Sequence, residues 1–163
     1  MNYILFDGPS RNALLPFTFT RPVADILIGI MTIRQKWEMY LGSTTTTLTE
    51  EYLSDKYPMV ELEENVMINA SFLPTASLVD LIQDLGRNQA IFKGEEVVAF
   101  YSHDSQEEVD FDSYEIIEFE EETITVNNPW DIFSKNADAI RSDFDYLTED
   151  RVSQPIPKSV NVI

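Results

Sequence analysis

The sequence predicts an α/β domain in which helices are layered on a sheet. Three observations carry that reading. Short apolar runs at residues 2–6 and 66–70 look like buried strands. Helical apolar spacing follows each of them, over residues 32–41 and 78–85. A strand-like pair at residues 89–93 and 97–101 then flanks a glycine-containing turn. With 163 residues, 44% of them hydrophobic, the chain has the length of one domain and ample material for its core.

The first strand, Asn2 to Phe6, ends at Asp7-Gly8-Pro9-Ser10, a turn cluster. A loop is expected through Thr20, in which residues 16–20 alternate like a short extended segment. Pro22 suits the first turn of a helix, but Gly29 weakens an unbroken one. Thr32-Ile33-Arg34-Gln35 fits a capping box, so a helix is predicted from about Thr32 through Trp37 to Leu41, stopped by Gly42. Residues 44–48 are β-prone, and 50–57 suit a short helical turn closed before Pro58. The second buried strand and a helix ending at Gly86 follow, then the hairpin. Residues 116–119 and 123–126 suggest two more strands. Pro129 opens a last helix with Trp130, Ile132, Phe133, Ala137, Ile140, Phe144 and Leu147 on one side. The stretch 151–163 holds Pro155 and Pro157 and ends in an apolar Val-Asn-Val-Ile that looks like the start of a strand.

Charge narrows the function. The formal charge is −18, from 11 basic and 29 acidic residues. Nucleic-acid backbones and anionic membrane surfaces are therefore not expected partners. No apolar run approaches the roughly 20 residues of a membrane helix, and the start lacks the basic region of a signal peptide. A cytoplasmic protein is the simplest expectation. There is no cysteine and a single histidine, His103, which excludes disulfides and multi-histidine zinc sites. The charge is uneven. Residues 1–42 hold Arg11, Arg21, Arg34 and Lys36 against Asp7, Asp25 and Glu38, a net +1. Residues 94–134 hold thirteen acids and no lysine or arginine. That stretch reads as a solvated face, without the glycine and ligand spacing of a calcium loop. An anionic ligand is opposed least at the head of the chain.

The segment with chemical content is Gly8-Pro9-Ser10-Arg11 through Pro16-Phe17-Thr18-Phe19-Thr20-Arg21-Pro22. It follows the first strand, where α/β sheets place ligand loops. Backbone N–H groups, the Ser10 hydroxyl and the Arg11 guanidinium suit phosphate oxygens there. On the residues alone the same stretch also reads as an ordinary turn, with Arg21 paired to a surface carboxylate.

This loop resembles that of sugar-phosphate nucleotidyltransferases, G-x-G-[ST]-R-x-x-P-L-T-x-x-x-P-K. The wider pattern over residues 2–8, 16–37, 68–74 and 129–148 is similar to the N-terminal domain of a divergent bacterial group. That group is related to bifunctional N-acetylglucosamine-1-phosphate uridyltransferase/glucosamine-1-phosphate acetyltransferase. The resemblance implies a shortened, Rossmann-like nucleotide-diphospho-sugar-transferase domain with a mixed sheet over residues 1–150. It further implies that 151–163 is a linker into a C-terminal left-handed β-helix domain outside this chain. The implied reaction is uridylyl transfer from UTP to N-acetylglucosamine-1-phosphate, releasing pyrophosphate, with Mg²⁺ as cofactor. Arg11 and Arg21 would be catalytic, and Asp7, Gly8, Ser10, Arg11 and Asn69 would line the nucleotide. The chain departs from the pattern at four places. The second glycine is missing, and the Arg11-to-Pro16 interval is two residues longer. The lysine after the proline is Val23. The Gly-Asp whose aspartate binds Mg²⁺ reads Asn69-Ala70. The alternative expectation is therefore a non-catalytic module that binds sugar nucleotide or packs against a neighbouring domain.

Other residues have structural readings beside functional ones. Trp37 and Trp130 read as core anchors, and Phe17 and Phe19 as packing the loop onto the domain. Asp25 is expected to pair with Arg21, with Mg²⁺ ligation the less favoured role. Asp7 is expected to hold its turn by accepting backbone N–H bonds, with contact to a base or ribose as the alternative. Asn136 faces the same choice, undecided. His103, beside Asp104, reads as an exposed bystander.

Overall fold

The fold is taken from a computed structural model, which describes residues 1–103, 109–152, 154–157 and 159. Eight strands are described: β1 (Asn2–Phe6), β2 (Leu27–Ile28), β3 (Met31–Thr32), β4 (Thr45–Leu48), β5 (Glu64–Asn69), β6 (Gln89–Lys93), β7 (Glu96–His103) and β8 (Glu115–Glu118). The helices are α1 (Ser10–Ala13), α2 (Ile33–Leu41), α3 (Glu51–Ser54), α4 (Ala76–Gln83), α5 (Pro129–Ser134) and α6 (Asn136–Thr148). Six strands form one mixed sheet in the order β4-β1-β5-β7-β6-β8. β1 is parallel to β4 and β5, β7 is antiparallel to β5 and β6, and β8 is parallel to β6. β2 and β3 make a small hairpin apart from the sheet. The chain is thus an α/β domain with a mixed sheet, of the Rossmann-like kind expected.

Strand alternation explains the layering. Along β1, Tyr3 and Leu5 enter the main core while Ile4 enters a smaller one on the opposite face. The main core lies under α2 and α4, around the fully buried Trp37, whose indole N–H donates to the Phe72 carbonyl at 2.9 Å. Phe6, Phe92, Val109 and Phe111 pack on the smaller cluster.

α2 begins and ends as its sequence dictates. Thr32 Oγ1 accepts from the Gln35 amide, the Gln35 side chain accepts from the Thr32 amide, and Gly42 closes the helix at φ +64°. The segment expected to be extended, residues 16–20, is instead a 3₁₀ turn over Phe17–Phe19. Bonds from Phe17 N to Leu14 O and Phe19 N to Pro16 O set its period at three, not two. Thr18 is turned inward, where its hydroxyl donates to the Arg11 carbonyl, and Phe17 and Phe19 are left exposed. Neither enters the core; Phe19 packs the loop onto the domain only at its surface, with its ring centre 6.4 Å from that of Tyr52.

Residues 123–126 are not the predicted strand. They meet residues 71–73 through one isolated bridge, Phe72 to Thr125. Leu73 N donates to the Ile124 carbonyl, but the Leu73 carbonyl accepts the Thr123 hydroxyl at 2.7 Å in place of a backbone amide, and the ladder stops there.

The last predicted helix is two, α5 and α6, bent at Lys135. Its inward positions are not the apolar stripe read from the sequence. Asp131, Ala139 and Asp143 are buried, whereas Trp130 is 63% and Phe133 is 72% exposed. Trp130 is therefore no core anchor. Hydrogen bonding, rather than apolar burial, orients this end of the chain. The Asn136 side chain accepts from the Gly29 amide, and Asp143 Oδ2 accepts from the Ile30 amide, both at 2.7 Å. Asp143 also receives the buried ammonium of Lys36. Burial pushes the Lys36 pKa down, against the opposing hydrogen bond and charge of Asp143. At the start of α5, burial alone would raise the Asp131 pKa. The amides of Asn127 and Asn128, with the Lys135 ammonium, more than offset this and hold it below the usual carboxylate value.

The side chains of His103 and Asp104, and residues 160–163, lie outside the described residues. Among the described residues no helix is long and apolar enough to cross a membrane.

Candidate functional site

β1 lies between β4 and β5, so the chain crosses from one side of it to the other. In α/β sheets the crevice beyond the carboxyl ends at such a switch is the usual ligand position. Asp7 and Gly8 leave β1 there, and Asn69, paired in register with Phe6, ends β5 beside them. A Cβ on Gly8 would lie 3.0 Å from the Asn69 side-chain oxygen, so glycine allows this approach. Asn69 itself donates to the Val97 carbonyl at 3.0 Å and accepts from the Ser71 amide and hydroxyl.

Arg11 sits on α1, one turn after Asp7, and is only 7% exposed. One terminal nitrogen meets Asp7 Oδ2 at 2.7 Å. The other donates to the Thr18 carbonyl and the Tyr52 hydroxyl, each at 2.8 Å. Its Nε lies 3.4 Å from Glu50. Asp7 is equally engaged, taking the Thr49 hydroxyl at 2.6 Å and the Val23 amide at 2.7 Å. Asp7 thus plays the turn-holding part expected of it, and Val23 joins the knot through its backbone. Thr49 and Tyr52 were not singled out in the sequence; their contribution depends on β4 and α3 folding beside the loop. The Ser10 hydroxyl is buried and has no partner among the described residues.

Arg21 is placed differently. It is exposed and makes no ion pair with a described residue. Asp25, its expected partner, instead pairs with Arg34 at 2.7 Å. Arg34 starts on α2, pointing back along the loop, and is further fixed by Thr45 and Thr47 on β4. Arg21 joins two clefts. One, about 420 Å³, is walled by Pro16, Phe17, Ile26, Leu27 and Ile132. The other, about 550 Å³, is walled by Arg34, Lys56, Tyr57, Thr32, Gln35, Asp25 and Glu38. Arg11 lines a separate hollow with Asp7, Thr49, Glu50 and Glu51. A larger cleft, about 1000 Å³, lies elsewhere, between α4 and α6. Asp80, Asp145 and Glu149 give it an acidic wall unsuited to phosphate.

The residues at the end of β5 do not fit a protein-held Mg²⁺. Ala70 offers no oxygen from its side chain, Asn69 spends its amide on Val97 and Ser71, and the nearby Asp7 carboxylate is already shared by three donors. Among the described residues no group of three or more His, Cys, Asp or Glu side chains is placed to hold a metal.

A mixed-sheet α/β domain with a loop of this kind after its first strand defines a nucleotide-sugar transferase class of fold. The sequence model of the sugar nucleotidyl transferase family matches residues 3–152, and the chain belongs to that family. No curated protein matches it.

Proposed function

We propose that this domain carries out nucleotidyl transfer to a sugar phosphate, with UTP and N-acetylglucosamine-1-phosphate as the substrates, in the cytoplasm. The observation that carries the reading is Arg21: an exposed cation on the loop after β1 that pairs with no described carboxylate, in the least acidic part of a −18 chain. In the proposed reaction an oxygen of the sugar phosphate attacks the α-phosphorus. A new P–O bond forms, the bond to the β-phosphate bridge breaks, and pyrophosphate leaves. Such chemistry needs positioned cations more than covalent help from the protein. Arg21 is assigned the charge on the phosphates. Gly8 and Ser10 are assigned the nucleotide side of the loop, with Asn69 as a positioning residue because its amide is spent on Val97 and Ser71. Arg11 and Asp7 are assigned its positioning, because their polar atoms are already spent inside the knot. No step is assigned to a protein-held metal, since the donor set does not fit one.

A second reading is favoured by the same knot and by Ala70: a module that binds sugar nucleotide without turning it over. One experiment separates them. The chain is incubated with UTP, N-acetylglucosamine-1-phosphate and Mg²⁺, and pyrophosphate release is followed. The transferase reading expects release that falls roughly 100-fold in Arg21→Gln. Saturable binding of UDP-N-acetylglucosamine with no release supports the module.

A further inference from the structure

We infer that the phosphate seat of this site is the cleft walled by the loop, the first turns of α2 and residues 56–57 after α3, with Lys56 as a second phosphate cation beside Arg21. The inference rests on the sugar-nucleotide reading above and gives it a place. Arg11, the obvious cation of the loop, has every nitrogen engaged by protein acceptors. Arg21 and Lys56 do not: both are exposed and neither makes an ion pair with a described residue. They line one cleft, of about 550 Å³. Lys56 lies over the Tyr57 ring, its ammonium 5.0 Å from the ring centre, a contact that leaves its charge uncompensated by any described carboxylate.

Arg34 forms the cleft's fixed wall, its charge taken by Asp25. With Glu38 the remaining acid, the cleft keeps a net charge of +1 in a chain of −18. That is the electrostatic setting for a phosphate or diphosphate group. The apolar cleft on the other side of Arg21, with Phe17 and Leu27, adjoins it and shares Thr20 and Arg21 as lining. The ligand class is therefore a phosphate ester with its anionic end at Lys56 and its organic part against Phe17. Lys56 is the sole basic residue between Lys36 and Arg87, a signal present in the sequence but without meaning until α3 is folded beside the loop.

The test is a titration of the whole chain with inorganic pyrophosphate and with UTP, followed by amide NMR shifts. Pyrophosphate is expected to move the amides of Thr20, Arg21, Lys56 and Tyr57. Lys56→Gln is expected to weaken both ligands about tenfold while leaving the melting temperature unchanged. Phe17→Ser is expected to weaken UTP but not pyrophosphate. The inference is overturned if the native chain binds neither ligand. It also falls if the shifts map to Gly8 and Asn69 instead, or if Lys56→Gln binds as the native chain does. Failure of the transferase reading is read separately. Pyrophosphate binding lost in Lys56→Gln, with no turnover of UTP, keeps the cleft and removes the enzyme. Turnover unaffected by Lys56→Gln does the reverse.

Discussion

Asp7 and Arg11 meet at 2.7 Å, one turn apart after β1, with both side chains almost fully withdrawn from water. The pair closes the loop that should face the ligand. Removing one partner strands the other as a buried charge, which typically costs about 3–5 kcal/mol. Arg11→Ala is therefore expected to lower stability by that order in urea unfolding. Arg21→Ala, at an exposed side chain that pairs with no described carboxylate, is expected to change it by less than about 0.5 kcal/mol. Equal losses in the two variants would contradict the division of roles.

The hairpin tip is fixed by α6. Gly29 adopts φ +74°, and a Cβ there would lie 2.4 Å from Asp143 Oδ2 and 3.0 Å from the Ala139 backbone. Gly29→Ala must strain the backbone and displace the carboxylate that holds Lys36 and Ile30. A loss of about 2 kcal/mol or more is expected. Because both changes disturb one network, Gly29→Ala and Asp143→Ala together should cost clearly less than their sum, measured in a double-mutant cycle.

Asp131 ties stability to acid pH. Its native pKa is depressed, so its contribution is complete above the unfolded value near 3.9 and is lost as pH falls through the native value. Asp131→Asn is expected to be less stable at pH 7 and to show a flatter loss of stability below about pH 4. Parallel pH profiles for the two proteins would show that the N–H bonds from Asn127 and Asn128 do not favour the ionised form.

Trp130→Ser is expected to leave thermal stability almost unchanged, within about 0.5 kcal/mol, because the ring faces solvent. Trp37→Ala should cost about 3–5 kcal/mol, since Trp37 fills the main core. Intrinsic fluorescence on unfolding reads both.

The contrast between those tryptophans marks what the sequence could reveal. Where a helix buries an apolar stripe, as α2 does with Ile33, Trp37 and Leu41, spacing and caps disclose it. The helix pair α5–α6 buries Asp131 and Asp143 to satisfy backbone amides and Lys36, so apolar spacing pointed to the wrong face. The mixed sheet was legible strand by strand except at residues 123–126, where the Thr123 hydroxyl takes the Leu73 carbonyl and pairing ends after one bridge. The site was legible as a loop and a family pattern. Its internal assignments were not, because the partners of Arg11 come from Thr18, Thr49, Glu50 and Tyr52, and Asp25 pairs with Arg34 on α2. Such pairings depend on tertiary placement that one-dimensional spacing does not encode.

The most direct measurement is a calorimetric titration of the chain with UTP and with UDP-N-acetylglucosamine, with and without Mg²⁺. Saturable binding of both is expected, weakened in Arg21→Gln while the fold is retained. Absence of heat with either ligand, or binding indifferent to Arg21→Gln, would contradict the proposed function.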